Sequence, residues 1–172
     1  KHLFISGPTM VDDSIRDALL QDDISHRDIT FENLFRDTQN QLYQMVNADK
    51  SDYVALLTTG SGSSSTEAMI SSFLPNSNTL IISNGEFGNR LIEQAKIFNV
   101  KSTIVKSEIG TEFDLDSIEK VLYLNKKIEN ILISWVETST GILNPIEEVY
   151  NLSVKYNKNL YIDQKINKKL LK

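Results

Sequence analysis

Every residue from Thr58 to Ser64 is glycine, serine or threonine, and this stretch stands between an apolar run and a helical pattern. Gly60 and Gly62 would let the backbone turn tightly and come close to a ligand. A helix that begins there would add free N–H groups and the positive end of its dipole. The stretch therefore predicts a phosphate site with serine hydroxyls as further donors. The alternative is a glycine-rich turn with a serine helix cap that binds nothing.

Two familiar phosphate motifs do not fit this stretch. A P-loop ends in Gly-Lys-Ser/Thr, and no lysine follows the glycines here. A dinucleotide fingerprint needs a third glycine and an acidic residue at the end of the second strand, and Ser65 and Asn84 stand at those positions. The sequence therefore predicts a phosphate site of another kind.

Other strand ends carry aromatic, hydroxyl and acidic side chains. Phe87 follows "TLIIS", Thr138, Ser139 and Thr140 follow "ILISWVE", and Asp163 follows "LYI". Ligands of a parallel sheet lie beyond the carboxyl ends of its strands, so we expect these residues to gather around one site. The alternatives are a core role for Phe87, a turn at the three hydroxyls and a helix cap at Asp163.

A phosphate cradle, a flat aromatic side chain, hydroxyl donors and a carboxylate together suit pyridoxal 5'-phosphate. The phosphate needs a helix N-terminus, and the ring needs a flat partner. The pyridine nitrogen needs a carboxylate that keeps it protonated, so that the ring can take up carbanion charge. The strand-end residues therefore predict this cofactor.

Alternating strands and helices must position these residues. Apolar strands are predicted at 52–59, 79–84, 101–106, 130–137 and 160–163, with helical patterns between them. Strands that are apolar throughout and separated by helices predict a parallel sheet covered on both faces.

The N-terminal residues predict an extended stretch, a helix from Asp12 or Asp13 to about Leu20, and a helix from Ile29 to Val46. Farther on, Asp116 and Glu119 have the spacing of a capping box.

Composition excludes several classes of function. The 172 residues carry a formal net charge of −5, and basic residues do not cluster before the C-terminus, which argues against a nucleic-acid partner. No apolar run is long enough to cross a bilayer, so we expect no membrane partner. Without cysteine there is no disulfide framework or thiolate metal site, and a cytoplasmic location fits. His2 and His26 lack metal-ligand spacing, so no metal site is predicted.

The chain resembles the class V pyridoxal-phosphate aminotransferases of fold type I, and most of all the alanine–glyoxylate, serine–pyruvate and 2-aminoethylphosphonate–pyruvate group. The resemblance lies in "FISGPTMV", "TTGSGSSSTEAM", "LIISNGEFGNR", "ETSTGILNPIEEV" and "LYID", which span nearly the whole chain in the family's order. It implies an α/β fold, the parallel-sheet large domain of these enzymes. It also implies ping-pong transfer of an amino group from a small amino acid or aminophosphonate to pyruvate or glyoxylate, by a homodimer.

The resemblance also implies roles for individual residues. The phosphate would be bound by Ser61, Gly62 and Ser63. Phe87 would stack on the cofactor ring, Thr138 would hydrogen-bond near the ring hydroxyl, and Asp163 would pair with the pyridinium nitrogen.

An N-terminal stretch and a polar turn would lie near the substrate. Gly7, with the adjacent Pro8 and Thr9, matches a segment near the substrate in relatives, and His26 and Arg27 resemble a His-Arg stretch that binds an anionic substrate in some of them. The alternative for Arg27 is a solvated surface charge.

After Asp163 the chain departs from the family. Relatives continue with a Ser- and Gly-rich stretch and, after another strand, the lysine that forms a Schiff base with the cofactor. Here "QKINKKLLK" follows, and its lysines, Lys165, Lys168, Lys169 and Lys172, come too early. We therefore expect a partial cofactor-binding large domain at 1–163, with an N-terminal segment at about 1–50 and an unrelated Lys-rich tail at 164–172. The expected chain is truncated before the Schiff-base lysine and the C-terminal small domain, and holds no catalytic residue.

Two other functions remain open. One is a catalytically inactive remnant that acts as a cofactor-binding or interaction module, and the other is a lyase or desulfurase reaction on the same fold. We further expect the isolated chain to aggregate or fold poorly, because the resemblance pairs the strand at 52–59 with a strand beyond residue 172.

Overall fold

The computed structural model describes Leu3, Ile5, Gly7 and residues 10–164. It divides the chain into a first unit that ends at Leu57 and a second unit that begins at Thr58. The lysines predicted to form the C-terminal tail, from Lys165 onward, lie outside the described residues. The domain bounds inferred from the sequence therefore stay predictions.

The first unit contains the two predicted helices. Helix α1 spans Asp13–Asp17 and continues as a 3₁₀ turn over Ala18–Leu20, and α2 spans Ile29–Val46. The α2 helix begins where the Asp28 carboxylate accepts a hydrogen bond of 2.7 Å from the backbone N–H two residues on. It ends where Asn47 adopts the left-handed conformation, with φ of 53°.

The predicted strand at 52–59 is wrong. Residues 53–57 form no strand, and Tyr53, Val54 and Leu56 expose 61%, 79% and 78% of their surface. Side chains of α2 bond to the backbone instead: the Ala55 N–H donates to the Tyr43 hydroxyl, and the Ala55 carbonyl accepts from the Gln39 amide. An apolar run specifies a strand only where another strand can pair with it.

The second unit is built on a parallel sheet, as predicted. Its strands, in chain order over the described residues, are β1 (Asn78–Ser83), β2 (Lys101–Lys106), β3 (Asn130–Ser134), β4 (Val136–Glu137), β5 (Ile142–Leu143) and β6 (Asn159–Asp163). Strands β2, β1, β3 and β6 form the parallel sheet in that order, and β4 and β5 form a short antiparallel pair. The strand predicted at 130–137 is therefore interrupted at Trp135.

Helices cover both faces of this sheet. Over residues 58–164 they are α3 (Gly62–Phe73), α4 (Glu86–Ile97), α5 (Leu115–Leu124) and α6 (Ile146–Lys155). Leu80 and Ile82 of β1 pack with residues of α5 and α6, whereas Ile81 packs with residues of α3 and α4. This alternation of neighbouring side chains between two cores is why the strands are apolar throughout. None of the helices in the described residues combines the length and apolarity needed to span a membrane.

The register brings the carboxyl ends of three strands level. Ile82 of β1 pairs with Ile133 of β3, and Ile133 pairs with Ile162 of β6. One residue farther on, Ser134 pairs with Asp163. The loops that follow β1 and β3 therefore leave the sheet at the edge where β6 ends.

The N-terminus of α5 is capped by a different residue from the one predicted. Asp114, not Asp116, is the N-cap, and its carboxylate accepts from the Asp116 N–H at 3.1 Å and from the Ser117 hydroxyl. The capping box at Asp116 and Glu119 is wrong, because the helix begins two residues earlier. Hydrogen bonds from the Ser117 hydroxyl and backbone, and then from the Asp116 backbone, lower the pKa of Asp114.

We expect Asp114→Ala to lower the melting temperature more than Asp116→Ala, which removes the predicted cap. A lowered pKa means that the ionised carboxylate stabilises the folded state above its unfolded pKa, near 3.8. This contribution is lost as the pH falls through the folded pKa. Melting curves of both variants between pH 7 and pH 2.5 measure it, and a gap that persists at the acidic end contradicts this account.

Candidate functional site

The glycine-serine stretch turns directly into α3. Ser61 is the N-cap, yet its side chain accepts no capping hydrogen bond from the helix. Gly60 has φ of +151°, and a Cβ there would lie 2.6 Å from the Ser64 hydroxyl oxygen, so the turn requires glycine. The first N–H groups of α3, at Gly62 and Ser63, have no intrahelical acceptor, as at any helix N-terminus. The serine-cap alternative therefore does not describe Ser61, and an anion could accept from these groups.

A contact between α3 and β6 joins two predicted parts of the site. The Thr66 hydroxyl lies 3.3 Å from Asp163 Oδ1 and 3.0 Å from the Gly62 carbonyl oxygen. Asp163 is the last residue of β6, and its carbonyl accepts a hydrogen bond of 2.9 Å from the Trp135 N–H. The helix after the glycine-serine stretch and the strand-end carboxylate thus share one edge of the sheet.

Phe87 lies in the first turn of α4, and Arg90 of the same helix contacts both Phe87 and the glycine-serine stretch. The Arg90 guanidinium carbon is 5.3 Å from the centre of the Phe87 ring, a cation–π contact, and its Nη1 is 3.5 Å from the Ser63 hydroxyl. Phe87 is half-buried. The core role and the stacking role of Phe87 both stay predictions.

A buried carboxylate holds the N-terminus of α4. Glu137 is 0% exposed, and its oxygens accept from the backbone N–H groups of Phe87 at 3.3 Å and Gly88 at 3.1 Å. Ser139 donates to the same carboxylate through its N–H and its hydroxyl. A Cβ on Gly85 would lie 2.3 Å from the Glu137 carboxyl carbon, so only glycine allows this approach. Glu137 therefore holds the turn that carries Phe87, here called the aromatic turn, against the turn formed by Thr138, Ser139 and Thr140, here called the hydroxyl turn.

The hydroxyl turn after Glu137 has two kinds of residue. The N–H groups of Thr140 and Gly141 donate to the Glu137 carbonyl at 3.1 and 2.8 Å. Thr140 therefore lies in a turn, which is the alternative that the sequence offered for the hydroxyl residues. The Thr138 hydroxyl oxygen is buried and has no hydrogen-bond partner among the described residues. A buried hydroxyl without a partner is costly, and a ligand can satisfy it.

Two buried asparagines hold the strand ends together. The Asn84 amide donates to the Asn144 side-chain oxygen at 2.9 Å and to the Thr111 carbonyl at 2.9 Å. The Asn144 amide donates to the Ser134 carbonyl at 2.7 Å. This pair connects the ends of β1 and β3 to the loops beyond them, so the walls of the site are fixed by side chains that need not touch a ligand.

The predicted substrate residues belong to the first unit. Gly7 lies in a bend, whereas Pro8 and Thr9 are outside the described residues. His26 and Arg27 form an exposed turn before α2, and the Arg27 N–H donates to the Ser25 hydroxyl at 3.2 Å. Their roles toward a substrate stay predictions.

The residues of the second unit fit pyridoxal 5'-phosphate. An anion matches the open N-terminus of α3, and the partnerless Thr138 hydroxyl offers a hydrogen bond to a ring substituent. Asp163 offers a carboxylate at the end of β6. The part of the chain that the structure describes holds no cluster of three His, Cys, Asp or Glu residues arranged for a metal ion.

Comparison with known proteins gives one consistent result. The model of the class-V aminotransferase family matches residues 16–167. The chain is 28% identical over 162 residues to the 2-aminoethylphosphonate–pyruvate transaminase of Bacillus mycoides. This match covers 94% of this chain and 44% of that protein. The chain therefore spans less than half the length of the curated relatives it matches.

Solved structures share the fold. The alanine–glyoxylate aminotransferase from Nostoc sp. superposes with a TM-score of 0.82 at 25% identity, over 91% of this chain and 41% of that one. The pyridoxamine–pyruvate aminotransferase from Mesorhizobium loti gives 0.82 at 16% identity over 91% and 40% of the two chains, which shows the fold alone. The predicted α/β fold of pyridoxal-phosphate aminotransferases is confirmed.

Sequence reasoning missed three residues of this site. Thr66 and Arg90 lie inside helical patterns, and Glu137 lies at the end of the strand predicted at 130–137. The available signal was the glycine pair in "NGEFG", because glycines at a helix start mark a close approach by another group.

We expect Glu137→Gln to lower the free energy of unfolding by ~2 kcal/mol or more, because a charged acceptor is lost and an amide N–H₂ is placed against N–H donors. Glu147→Gln, an exposed glutamate in the first turn of α6, is the matched control and should cost only about 0.5 kcal/mol. Urea unfolding of both variants measures the difference, and equal losses would show that Glu137 does not hold α4.

Proposed function

Because the chain belongs to the class-V aminotransferase family, we propose that the protein binds pyridoxal 5'-phosphate and carries out transamination. An amino group would pass from a small amino acid or aminophosphonate to pyruvate or glyoxylate. The observation that carries the proposal is the contact between Thr66 and Asp163, since it joins the anion-binding end of α3 to the strand-end carboxylate.

Each residue of the site would act on a different part of the cofactor. Ser61, Gly62 and Ser63 would hold the phosphate through N–H and hydroxyl groups at the start of α3. Phe87 would cover the ring, and Thr138 would donate a hydrogen bond beside the ring hydroxyl. When bound, the cofactor supplies an electron sink for carbanion charge.

Asp163 would hold the proton on the ring nitrogen. An ionised carboxylate accepts hydrogen bonds only, so beside this nitrogen it favours the protonated, cationic ring. The position of Asp163 supports this role, because β6 ends at the edge of the sheet that α3 also reaches.

Arg90 would supply the positive charge that the glycine-serine stretch lacks. A phosphate dianion at a helix N-terminus is further stabilised by a nearby guanidinium. Arg90 is 3.5 Å from the Ser63 hydroxyl and its side chain is held over Phe87, so the charge is placed beside the predicted phosphate position.

The names of the relatives support the proposed substrates. Proteins named as 2-aminoethylphosphonate–pyruvate transaminase and alanine–glyoxylate aminotransferase support small amino donors and 2-oxo acid acceptors. Gly7, His26 and Arg27 would lie near the substrate. The proposal includes the homodimer that the family resemblance implies and the cytoplasmic location that fits a chain without cysteine.

A second candidate is a cofactor-binding module without transaminase activity. It is favoured by the residues after Asp163, where "QKINKKLLK" replaces the Ser- and Gly-rich stretch of the family. Both candidates require cofactor binding, and only the first requires amino transfer.

Cofactor binding and amino transfer can be measured separately on the full chain. Trp135 is the single tryptophan and its backbone N–H donates to the Asp163 carbonyl, so we expect its fluorescence to be quenched as pyridoxal 5'-phosphate is added. Release of pyruvate from alanine by the loaded protein would establish the transaminase. Quenching without pyruvate would establish the binding module, and no quenching would contradict both candidates.

We expect Gly62→Ala to weaken binding of pyridoxal 5'-phosphate at least tenfold, roughly 1.4 kcal/mol, without lowering stability. A Cβ on Gly62 meets nothing within 4 Å, so the fold accepts it, and alanine in a helix is favoured over glycine. The added methyl would stand where the phosphate must approach the backbone. Fluorescence titration and urea unfolding measure both quantities, with the half-buried Ser71→Ala at the other end of α3 as control. Unchanged binding would mean that the stretch is only a turn.

A further inference from the structure

We infer that Thr66 is a positioning residue for Asp163: its hydroxyl holds Oδ1 and thereby orients the carboxylate toward the ring nitrogen. The inference rests on the proposed function, because it concerns the same cofactor. It adds a residue from the second turn of α3 that has no place among the predicted site residues.

The hydrogen-bond chemistry leaves one direction for this contact. An ionised carboxylate has no proton to give, so the Thr66 hydroxyl must donate to Asp163 Oδ1, at 3.3 Å. The hydroxyl has a single proton, and the Gly62 carbonyl, at 3.0 Å, competes for it. The charged acceptor is the stronger one, so an ionised Asp163 draws the proton to itself.

Burial makes the Thr66 hydroxyl a rigid donor. Thr66 is 7% exposed and lies on a helix, where threonine has two main rotamers about its first bond, and the Gly62 carbonyl holds its hydroxyl in one of them. The Asp163 backbone is fixed by pairing with Ser134, but the torsion that turns a carboxylate about its last bond is broad. A donor held at one oxygen, as Thr66 is at Oδ1, restricts that rotation.

The same hydroxyl connects the two ends of the proposed cofactor site. Gly62, its second acceptor, opens α3 at the predicted phosphate position, and Asp163 stands at the predicted ring-nitrogen position. Thr66 therefore fixes the carboxylate relative to the phosphate end with one side chain. A ligand that needs both ends should bind less tightly when this hydroxyl is removed.

The test compares Thr66→Val, which keeps the shape and removes the hydroxyl, with Thr66→Ser, which keeps the hydroxyl. Each is titrated with pyridoxal 5'-phosphate and with its analogue that has carbon in place of the ring nitrogen. We expect Thr66→Val to weaken binding of the cofactor about tenfold, as for loss of a hydrogen bond to a charged group, and Thr66→Ser to weaken it less than about twofold. Neither variant should change the affinity for the carbon analogue.

A double-mutant cycle with Asp163→Asn isolates the pair. In the Asp163→Asn background, Thr66→Val should cost little further affinity, because the charge that it orients is gone. Ser71→Ala, at the far end of α3, is the control for general effects on the helix, and Thr66→Ala serves in place of Thr66→Val if the valine variant does not fold.

The outcomes separate this inference from the proposed function. If the unmodified chain does not bind the cofactor, the proposed function and this inference fail together. If it binds, and Thr66→Val leaves the affinity unchanged or weakens the cofactor and the carbon analogue equally, then only the role of Thr66 is overturned. Equal losses in Thr66→Val and Thr66→Ser overturn it as well, since the hydroxyl would then not matter.

Discussion

The parallel pairing of β1, β3 and β6 is the constraint on which the rest of the second unit depends. Because the three strands pair in register, their carboxyl ends lie level at one edge of the sheet. The aromatic turn, the hydroxyl turn and the Asp163 carboxylate are separated by long stretches of sequence. The aromatic turn follows β1, the hydroxyl turn lies beyond β3 and the short β4, and Asp163 ends β6. A shift of one residue in β6 would move Asp163 to the other face of the sheet.

A buried negative charge then joins two of these loops. Glu137 is buried away from bulk solvent, and the N–H groups at the start of α4 take the place of solvent as hydrogen-bond donors. The helix gains a capping acceptor, and the carboxylate gains a positive dipole end. Gly85 is part of the same arrangement, because any larger residue would fill the place of the carboxyl group. Phe87 is thereby held in position by groups that are not themselves ligand contacts.

The sequence predicted what depends on local pattern and missed what depends on distant pairing. The alternation of apolar strands and helices predicted β1, β2, β3 and β6, because each has its partners inside the chain. The run at 52–59 has the same composition but no partner among the described strands, and its backbone bonds to α2 instead. The contact of Thr66 with Asp163 spans 97 positions, so no local spacing could indicate it. The candidate ligand residues were found because they follow strand ends, a rule that needs only the order of elements.

The separation of charges in the site explains which ligands it can select. The start of α3 and Arg90 attract an anion, whereas Asp163 repels one and favours a cation. A simple phosphate would be attracted only by the start of α3 and Arg90, and a simple amine would be attracted only by Asp163. A molecule with a phosphate at one end and a protonated ring nitrogen at the other gains from both, provided that its length matches the spacing of the two groups. On our inference that Thr66 positions Asp163, that spacing would depend on how α3 packs against β6 as well as on the residues that would touch the ligand.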